Sequence, residues 1–416
     1  MRADNKMNRE IFTFVSSYCG SRLITRFLAD RKKLHSTEDR MLGKNSQLKK
    51  SGVRPDALLE DRISFDHLLT MCKYQLGKRG YVDVLLGIGN ILKTHGELQR
   101  ARQTFDEVMT FGQSTEHSEF IAEALLARGE VYSREGRWRE SNRDLAQSRV
   151  LFQKARDFAS LAKVENILGT CYAEQGLLRR ANTYFSKALQ SAERTSEKPL
   201  SATILMNLGI IRNIIGKCDE ALHHYRRALP LFELSGDMTR VAEIYHNMGM
   251  SYLSKGDYPA AIQEFDKSLE YSMKLQSPGL IAISKLGKAT VHFRMADLAL
   301  ALAYCNQAMD GCQKSDQRIA LADAYKLKGM VLGALKQYQL AESHLYSSIR
   351  INEQYGNLLN LGETWYELGV LKKSMRRKTE ATEAFRKALE HFRKVGAATE
   401  VQRTNGEMTA LQEKRK

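Results

Sequence analysis

Residues 168–188 read LGTCYAEQGLLRRANTYFSKA, and this stretch decides the fold. Its glycines and its small and bulky residues are Gly169, Gly176, Ala181, Phe185 and Ala188. Intervals of four and three residues place the last three side chains on one face of a helix. A glycine just before them marks a turn. The stretch therefore predicts two helices joined by a tight turn.

The same pattern recurs along the chain every 40 residues without insertion. We call the position of Gly176 the turn column and that of Gly169 the helix column. The turn column contains Gly96, Gly136, Gly176, Gly216, Gly256, Ala296, Lys336 and Arg376. The helix column contains Gly89, Gly129, Gly169, Gly209, Gly249, Ala289, Gly329 and Gly369. Such a repeat predicts a stack of similar units rather than one globular core.

A third set of positions, the bulky column, carries the largest side chain of each second helix. It contains Phe105, Leu145, Phe185, Tyr225, Phe265, Cys305, Leu345 and Phe385. Glycine inside a helix costs about 1 kcal/mol relative to alanine, so the helix column predicts a close approach of two helices. We expect the bulky column to fill the space between neighbouring repeats. The turn column is expected to adopt positive φ angles.

Composition supports a helical protein. The 416 residues include only 5 prolines, and 43% are hydrophobic. Leu, Ala, Lys, Glu and Arg, which favour helices, are abundant. We therefore predict an all-α fold with little or no sheet.

These columns resemble the tetratricopeptide repeat family, in which Leu-Gly is followed by Tyr, Gly, Ala, Phe and Ala at the offsets of residues 168–188. The resemblance covers residues 82 to about 394 in one register. It implies an all-α, right-handed α-solenoid of about eight helix-turn-helix repeats. The period, longer than the family's usual length of about 34 residues, is similar to that of adaptor members related to kinesin light chain and the spindle-orientation adaptors.

Shorter segments flank the repeats. We predict a basic N-terminal segment at 1–55, a capping half-repeat at 56–81, eight repeats at 82–394, and a C-terminal capping helix with a basic tail at 395–416. The half-repeat resembles a lone second helix. A polar last helix is expected because an array otherwise exposes the apolar face of its last repeat.

The N-terminal segment contains a predicted amphipathic basic helix. Between Arg9 and Leu28, apolar residues recur at helical spacing beside arginines. The helix either packs on the array, lies on a membrane surface, acts as a targeting segment, or occupies the groove of its own chain and makes the protein autoinhibited. Deleting residues 1–35 would test the last interpretation, since partner affinity should then rise.

The net charge of +16 is concentrated at the two ends. Residues 1–80 carry +8 and residues 371–416 carry +7, which leaves +1 for the stretch between them. Binding of nucleic acid or an acidic partner is therefore expected only at the ends, if anywhere. Lys372, Lys373, Arg376, Arg377 and Lys378 form the predicted basic patch, for which a solvated face is the alternative interpretation.

No catalytic, metal-binding or cofactor motif stands out from the repeat. The ten histidines and six cysteines lack zinc-site spacing, and no nucleophile elbow or phosphate loop is present. We therefore predict a protein that is not an enzyme and needs neither metal nor cofactor nor small-molecule substrate. The unpaired cysteines and the lack of a membrane segment or signal peptide favour a cytoplasmic location.

The resemblance also implies a binding groove, because the first helices of the family's repeats line the concave face. Positions 2, 5, 6, 9 and 12 of each repeat, counted from Val82, would point into it. An asparagine at position 6 would bond a peptide backbone, although asparagine can equally bond neighbouring helices, and part of the apolar strip could equally be core. The predicted groove residues are Asn166, Met206, Asn207, Ile210, His246, Asn247, Met250, Leu286, Phe293 and Met330.

Position 2 is acidic in most repeats. We interpret these acids as favourable partners of the helix dipole rather than as contacts for a basic ligand. They are Asp83, Glu123, Glu243, Asp323 and Glu363.

The sequence thus predicts a non-catalytic scaffold or adaptor that binds another protein, as an extended peptide or an amphipathic helix, in the groove. The alternative is a regulatory protein whose basic ends contact nucleic acid or a membrane surface. Contacts with phosphates weaken steeply with salt, whereas apolar groove contacts do not, so salt dependence separates the two.

Overall fold

The computed structural model describes residues 6–18 and 62–413, and helices cover nearly all of these residues. No strand occurs among them. The helices, in chain order, are α1 (6–18), α2 (Arg62–Gln75), α3 (Lys78–Thr94), α4 (Leu98–Ser114), α5 (Ser118–Arg134), α6 (Trp138–Ala155), α7 (Phe158–Glu174), α8 (Leu178–Ala192), α9 (Lys198–Ile214), α10 (Cys218–Ser235), α11 (Met238–Lys255), α12 (Tyr258–Lys274), α13 (Pro278–Arg294), α14 (Leu298–Lys314), α15 (Arg318–Ala334), α16 (Tyr338–Gln354), α17 (Leu358–Ser374), α18 (Lys378–Lys394) and α19 (Ala398–Glu413).

The helices form two compact units, Met1–Cys171 and Tyr172–Lys416. In the first, α3 packs on α4 and α5 on α6; in the second, α9 to α18 pack as five consecutive pairs, and α19 packs on α18. The predicted all-α class of helix pairs is confirmed. The predicted segment boundaries stay predictions.

The two helices of a repeat approach each other most closely where a helix-column residue meets a bulky-column residue. A Cβ on Gly209 would lie 2.4 Å from the Tyr225 ring. At Gly249 it would lie 2.8 Å from Phe265, and at Gly287, in the next repeat, 2.4 Å from the same ring. Carbon atoms do not approach this closely without bonding, so only glycine fits. The bulky column thus packs first against its own repeat, and Phe265 also fills the space toward the next one, as predicted.

The sixth repeat departs from this pattern in both columns at once. Its helix column holds Ala289, and its bulky column holds Cys305; both side chains are completely buried. The extra methyl group on the first helix is matched by a smaller side chain on the second. The packed volume is thereby conserved, which cores tolerate best.

Every turn between paired helices closes on a residue with positive φ. The angle is 80° at Gly256, and it is 60° at Ala296 and Lys336, where glycine is absent. At Gly256 the backbone N–H donates to Leu253 O, and the Asp257 N–H donates to Tyr252 O, each at 3.0 Å. This pattern is the Schellman ending of a helix. The prediction for the turn column is confirmed.

Two cations with little exposed side-chain surface, Arg128 and Lys288, replace the leucine before the helix column and join neighbouring repeats. Arg128 contacts Asp144 and Asp106, each at 2.6 Å. Lys288 contacts Asp266 at 2.6 Å. Asp106 and Asp266 both lie 22 residues before their cation, on the second helix of the preceding repeat. Because a buried charge is costly without its partner, these pairs penalise any other register of the stack.

The N-terminal helix packs against α3. Met7, Ile11 and Val15 are buried, and the Phe14 ring lies over Gly87, where a Cβ would be 2.0 Å away. Its apolar face is therefore covered by protein, which favours the packing interpretation for residues 6–18. The rest of the predicted helix, residues 19–28, lies outside the described residues.

Two polar contacts fix the direction of α1. Tyr18 donates to Asp83, near the start of α3, at 2.6 Å, and Glu10 contacts His95, just past its end, at 2.9 Å. The helix α1 is thus antiparallel to α3, whereas the first helices of successive repeats are parallel. It covers the first repeat without being a repeat helix itself.

We predict that Cys305→Phe lowers stability and that Ala289→Gly partly restores it. Phenylalanine at 305 would overpack against the Ala289 methyl group and cost about 1–3 kcal/mol. Removing that methyl group recreates the glycine-to-ring contact of Gly249 and Phe265. Urea unfolding of the two single variants and the double variant measures the coupling. Strictly additive effects would contradict this account of the two columns.

We also predict that Lys336→Gly stabilises the protein by about 1 kcal/mol, because a non-glycine residue in the left-handed region is strained. The urea midpoint should rise, while the matched Lys336→Ala variant keeps the strain and should unfold like the parent. A midpoint that falls with glycine would show that the flexibility of the unfolded chain outweighs the strain.

Candidate functional site

A groove of about 680 Å³ lies in the second compact unit. The first helices α11, α13, α15 and α17 supply most of its lining, and α19 closes it. The lining follows the 40-residue repeat. One column contains Ile283, Asp323, Glu363 and Arg403, a second Ala320, Asn360 and Glu400, a third His246, Leu286 and Lys326, a fourth Gly287, Leu327 and Glu367, and a fifth Met250, Thr290 and Met330.

Half of the predicted groove residues meet here. His246, Met250, Leu286, Phe293 and Met330 all line the groove. The prediction that they form a binding site is not tested by this placement, but they do share one surface.

The other predicted residues do not line this groove. Asn166 belongs to the first compact unit. Met206 is only 5% exposed and belongs to a core cluster, on which Ile210 also packs. Asn207 and Asn247 are half-buried outside the lining. The alternative interpretation, that part of the apolar strip is core, therefore holds for Met206.

An apolar wall forms one part of the groove. Leu286, Phe293 and Met330 are half-buried and pack on the buried Leu327 and its neighbours. Met250 packs in the same way on the cluster around Phe265. One side of each side chain therefore packs on the core, and the other side lines the groove. Methionine adapts its shape readily, which suits a surface that receives varied apolar groups.

His246 adds to the apolar character of this wall. Its ring centroid lies 5.3 Å from that of Phe265. Burial lowers the pKa of His246 to about 4, so the imidazole is neutral near pH 7. It contributes a flat, uncharged surface rather than a positive charge.

The groove also contains a polar network centred on Lys326. Its Nζ lies 2.5 Å from Glu363 and 3.3 Å from Asp323, and Asn360 donates to Asp323 at 3.1 Å. Burial opposes the charge of Lys326, but the two carboxylates outweigh this and raise its pKa to about 12. Burial also raises the pKa of Asp323, against the effect of Lys326. Two of the acids at position 2, Asp323 and Glu363, thus pair within the groove. The helix-dipole interpretation is wrong, because none of the five acids at this position lies in the first turn of its helix.

Glu367, like Glu400, is a half-buried carboxylate of this groove without a hydrogen-bond or ion-pair partner among the described residues. Burial raises the pKa of Glu367, and nearby Arg403, Lys326 and Arg294 lower it less. The guanidinium of Arg403 instead lies 3.9 Å from the centroid of the Tyr366 ring.

The contribution of α19 was missed by the sequence interpretation, which treated this helix only as a cap. Glu400 and Arg403 line the groove, 40 residues after Asn360 and Glu363. Extending the register by one repeat beyond the eighth would have found them. Leu411 of this helix is buried in the core cluster that also contains α18 residues.

The predicted basic patch is only partly a surface. Lys372 is 3% exposed and contacts Glu342 and Glu380, each at 2.6 Å. Lys373 contacts Glu407 at 2.6 Å. Three basic residues remain exposed, namely Arg376, Arg377 and Lys378. Burial among carboxylates removes Lys372 from any contact surface.

The described residues 6–18 and 62–413 show neither a metal site nor a membrane-spanning helix. No group of three or more His, Cys, Asp or Glu side chains in this part of the chain could hold a metal ion. None of the helices described there is both long and apolar enough to cross a membrane. The cysteines Cys72, Cys171, Cys218, Cys305 and Cys312 are buried.

Comparisons with known proteins agree with this geometry. Tetratricopeptide repeat protein 29 of Trypanosoma brucei brucei is 23% identical over 222 residues, or 52% of this chain and 46% of that protein. The chain spans less than half the length of the curated relatives it matches.

Two solved structures share the fold. The apo form of the quorum sensor NprR from B. thuringiensis has a TM-score of 0.59 at 15% identity and covers 79% of this chain and 92% of its own. A Rap protein complexed with competence and sporulation factor has a TM-score of 0.56 at 13% identity, with coverage of 80% and 98%. At such identities the likeness shows the fold alone.

A family model, described as tetratricopeptide repeat, matches residues 160–233, 240–314, 280–354 and 321–394. Together these ranges span more than half of the chain. The positive-φ turns, the glycine contacts and the paired helices are the features that the family pattern requires. The chain belongs to the tetratricopeptide repeat family.

Proposed function

We propose that the protein is a non-catalytic adaptor or regulator that binds another protein in the groove between α11 and α19. The family and the fold support a protein-interaction role of this general kind. The observation that carries the proposal is the half-buried apolar wall of Met250, Leu286, Phe293 and Met330, held open beside a polar network.

The size and lining of this groove favour a peptide or a helix over a small molecule. Its length spans first helices from four successive repeats and α19, and its lining contains both apolar and polar residues. An amphipathic helix or an extended peptide can present its apolar side chains to the methionines and its polar ones to the network. A partner in the groove also accords with the Rap protein seen in complex with competence and sporulation factor.

The second candidate, contact with nucleic acid or a membrane surface through the basic ends, has less support. Of the five residues in the C-terminal patch, Lys372 is buried and Lys373 is paired with Glu407. The exposed Arg376, Arg377 and Lys378 remain available. Three cations give a salt-sensitive attraction but no sequence-specific readout.

The test is affinity capture from native lysate with the intact protein and a Met250→Glu/Met330→Glu variant, at low and moderate salt. Carboxylates on the apolar wall should reduce capture of a groove partner at least about tenfold, because a buried charge without a partner is costly. Met273→Glu, an exposed methionine on α12, is the matched control and should capture the partner like the parent.

A partner retained by the groove variant would overturn the proposal. Loss of all captured material at moderate salt, together with nucleic acid or lipid in the low-salt sample, would instead favour the basic ends. Circular dichroism of each variant confirms that the helices are intact.

A further inference from the structure

The groove contains more half-buried carboxylates than half-buried cations. Among its half-buried residues are four carboxylates, Asp323, Glu363, Glu367 and Glu400, but a single cation, Lys326. Lys326 is already shared between Asp323 and Glu363. Glu367 and Glu400 are left without a side-chain hydrogen bond or an ion pair among the described residues, and both line the same groove as the apolar wall.

Two arginines at the groove must be weighed against this excess of negative charge. Arg294 and Arg403 are both exposed, and neither lies within ion-pair distance of a carboxylate in the part of the chain that the structure describes. Water screens exposed charges strongly, whereas a half-buried carboxylate acts in a medium of lower dielectric constant. The charge of Glu367 should therefore dominate the selection of a ligand.

The protonation behaviour of Glu367 points the same way. Burial raises the pKa of its carboxyl even though Arg403, Lys326 and Arg294 are close enough to lower it. The surrounding cations thus do not replace the solvation that the carboxylate loses. A positive group in direct contact with the Glu367 carboxylate would replace that lost solvation.

We infer that the groove selects a peptide segment in which a lysine or arginine follows or precedes a large apolar residue. The apolar side chain packs on Met250, Leu286, Phe293 and Met330, and the cationic one pairs with Glu367. This inference rests on the proposed groove function and specifies the chemistry of its ligand. Glu400, the other carboxylate of the lining that has no ion-pair partner among the described residues, reinforces the preference.

The geometry favours one cation rather than a run of basic residues. Asp323 and Glu363 are held by Lys326 and Asn360, so they offer little to a second cation. The exposed Arg294 and Arg403 would repel a strongly basic peptide. A single basic residue within an apolar segment therefore fits best.

The experiment selects a displayed random peptide library on the full-length protein. Peptides that bind the parent and are lost on Met250→Glu/Met330→Glu are groove ligands. Their sequences should be enriched in Lys or Arg near a large apolar residue. Replacing that basic residue by glutamine should weaken binding to the parent about tenfold or more, as expected for a charge-assisted hydrogen bond.

Variants of Glu367 show whether this residue is the partner. In Glu367→Gln the penalty for replacing the ligand's basic residue should largely disappear, and Glu367→Lys should select acidic peptides instead. The matched control is Glu383→Gln, an exposed acid on α18 outside the groove, which should keep the parent's preference. Helical circular dichroism spectra identify variants that still fold.

The outcomes separate the two proposals. Groove ligands without basic enrichment, with acidic enrichment, or with the same penalty in Glu367→Gln would overturn the inference and leave the groove function standing. If no selected peptide depends on Met250 and Met330, both proposals fail.

Discussion

Most of the helix pairs are held together at one point of closest approach, where a glycine of the first helix meets a bulky side chain of the second. At these points a methyl group would lie 2.3 to 2.9 Å from the opposing side chain, as at Gly89 and Gly129. The distance between the helix axes is therefore set by the absence of a side chain. Because the contact recurs every 40 residues, it fixes the same geometry in pair after pair. The groove depends on this regularity, since its lining comes from equivalent positions of successive first helices.

The fold could be predicted almost entirely from the sequence. The glycine columns indicate where helices touch and where they end, and both features are local, because they require only a missing Cβ or a positive φ. The sequence also shows that the sixth repeat has Ala289 in the helix column and Cys305 in the bulky column, but it does not show why. That Ala289 and Cys305 compensate each other becomes clear only when the two are seen in contact. The antiparallel direction of α1 could not be predicted, because no repeat consensus applies to that segment.

The candidate site could be predicted only in part. A methionine at position 5 of the fourth repeat, Met206, and one at position 9 of the fifth, Met250, carry the same sequence signal. The structure buries the first and half-exposes the second, because exposure depends on the side chains of the neighbouring repeats. The roles of the charged residues were harder to predict than those of the apolar ones. Glu363 lies beyond the first turn of α17, and only the position of Lys326 shows that its carboxylate forms part of a network.

The ring of Phe265 occupies the space above both Gly249 and Gly287, and so belongs to two repeats at once. If the fifth repeat opens, the sixth loses the side chain that covers its own glycine. The two repeats should therefore exchange their amide hydrogens with solvent in one cooperative event, rather than fraying independently as repeats in a uniform array can. Met250 and Leu286 belong to these two repeats, so this part of the apolar wall lies within one cooperative unit. A ligand bound there would slow amide hydrogen exchange in both repeats together.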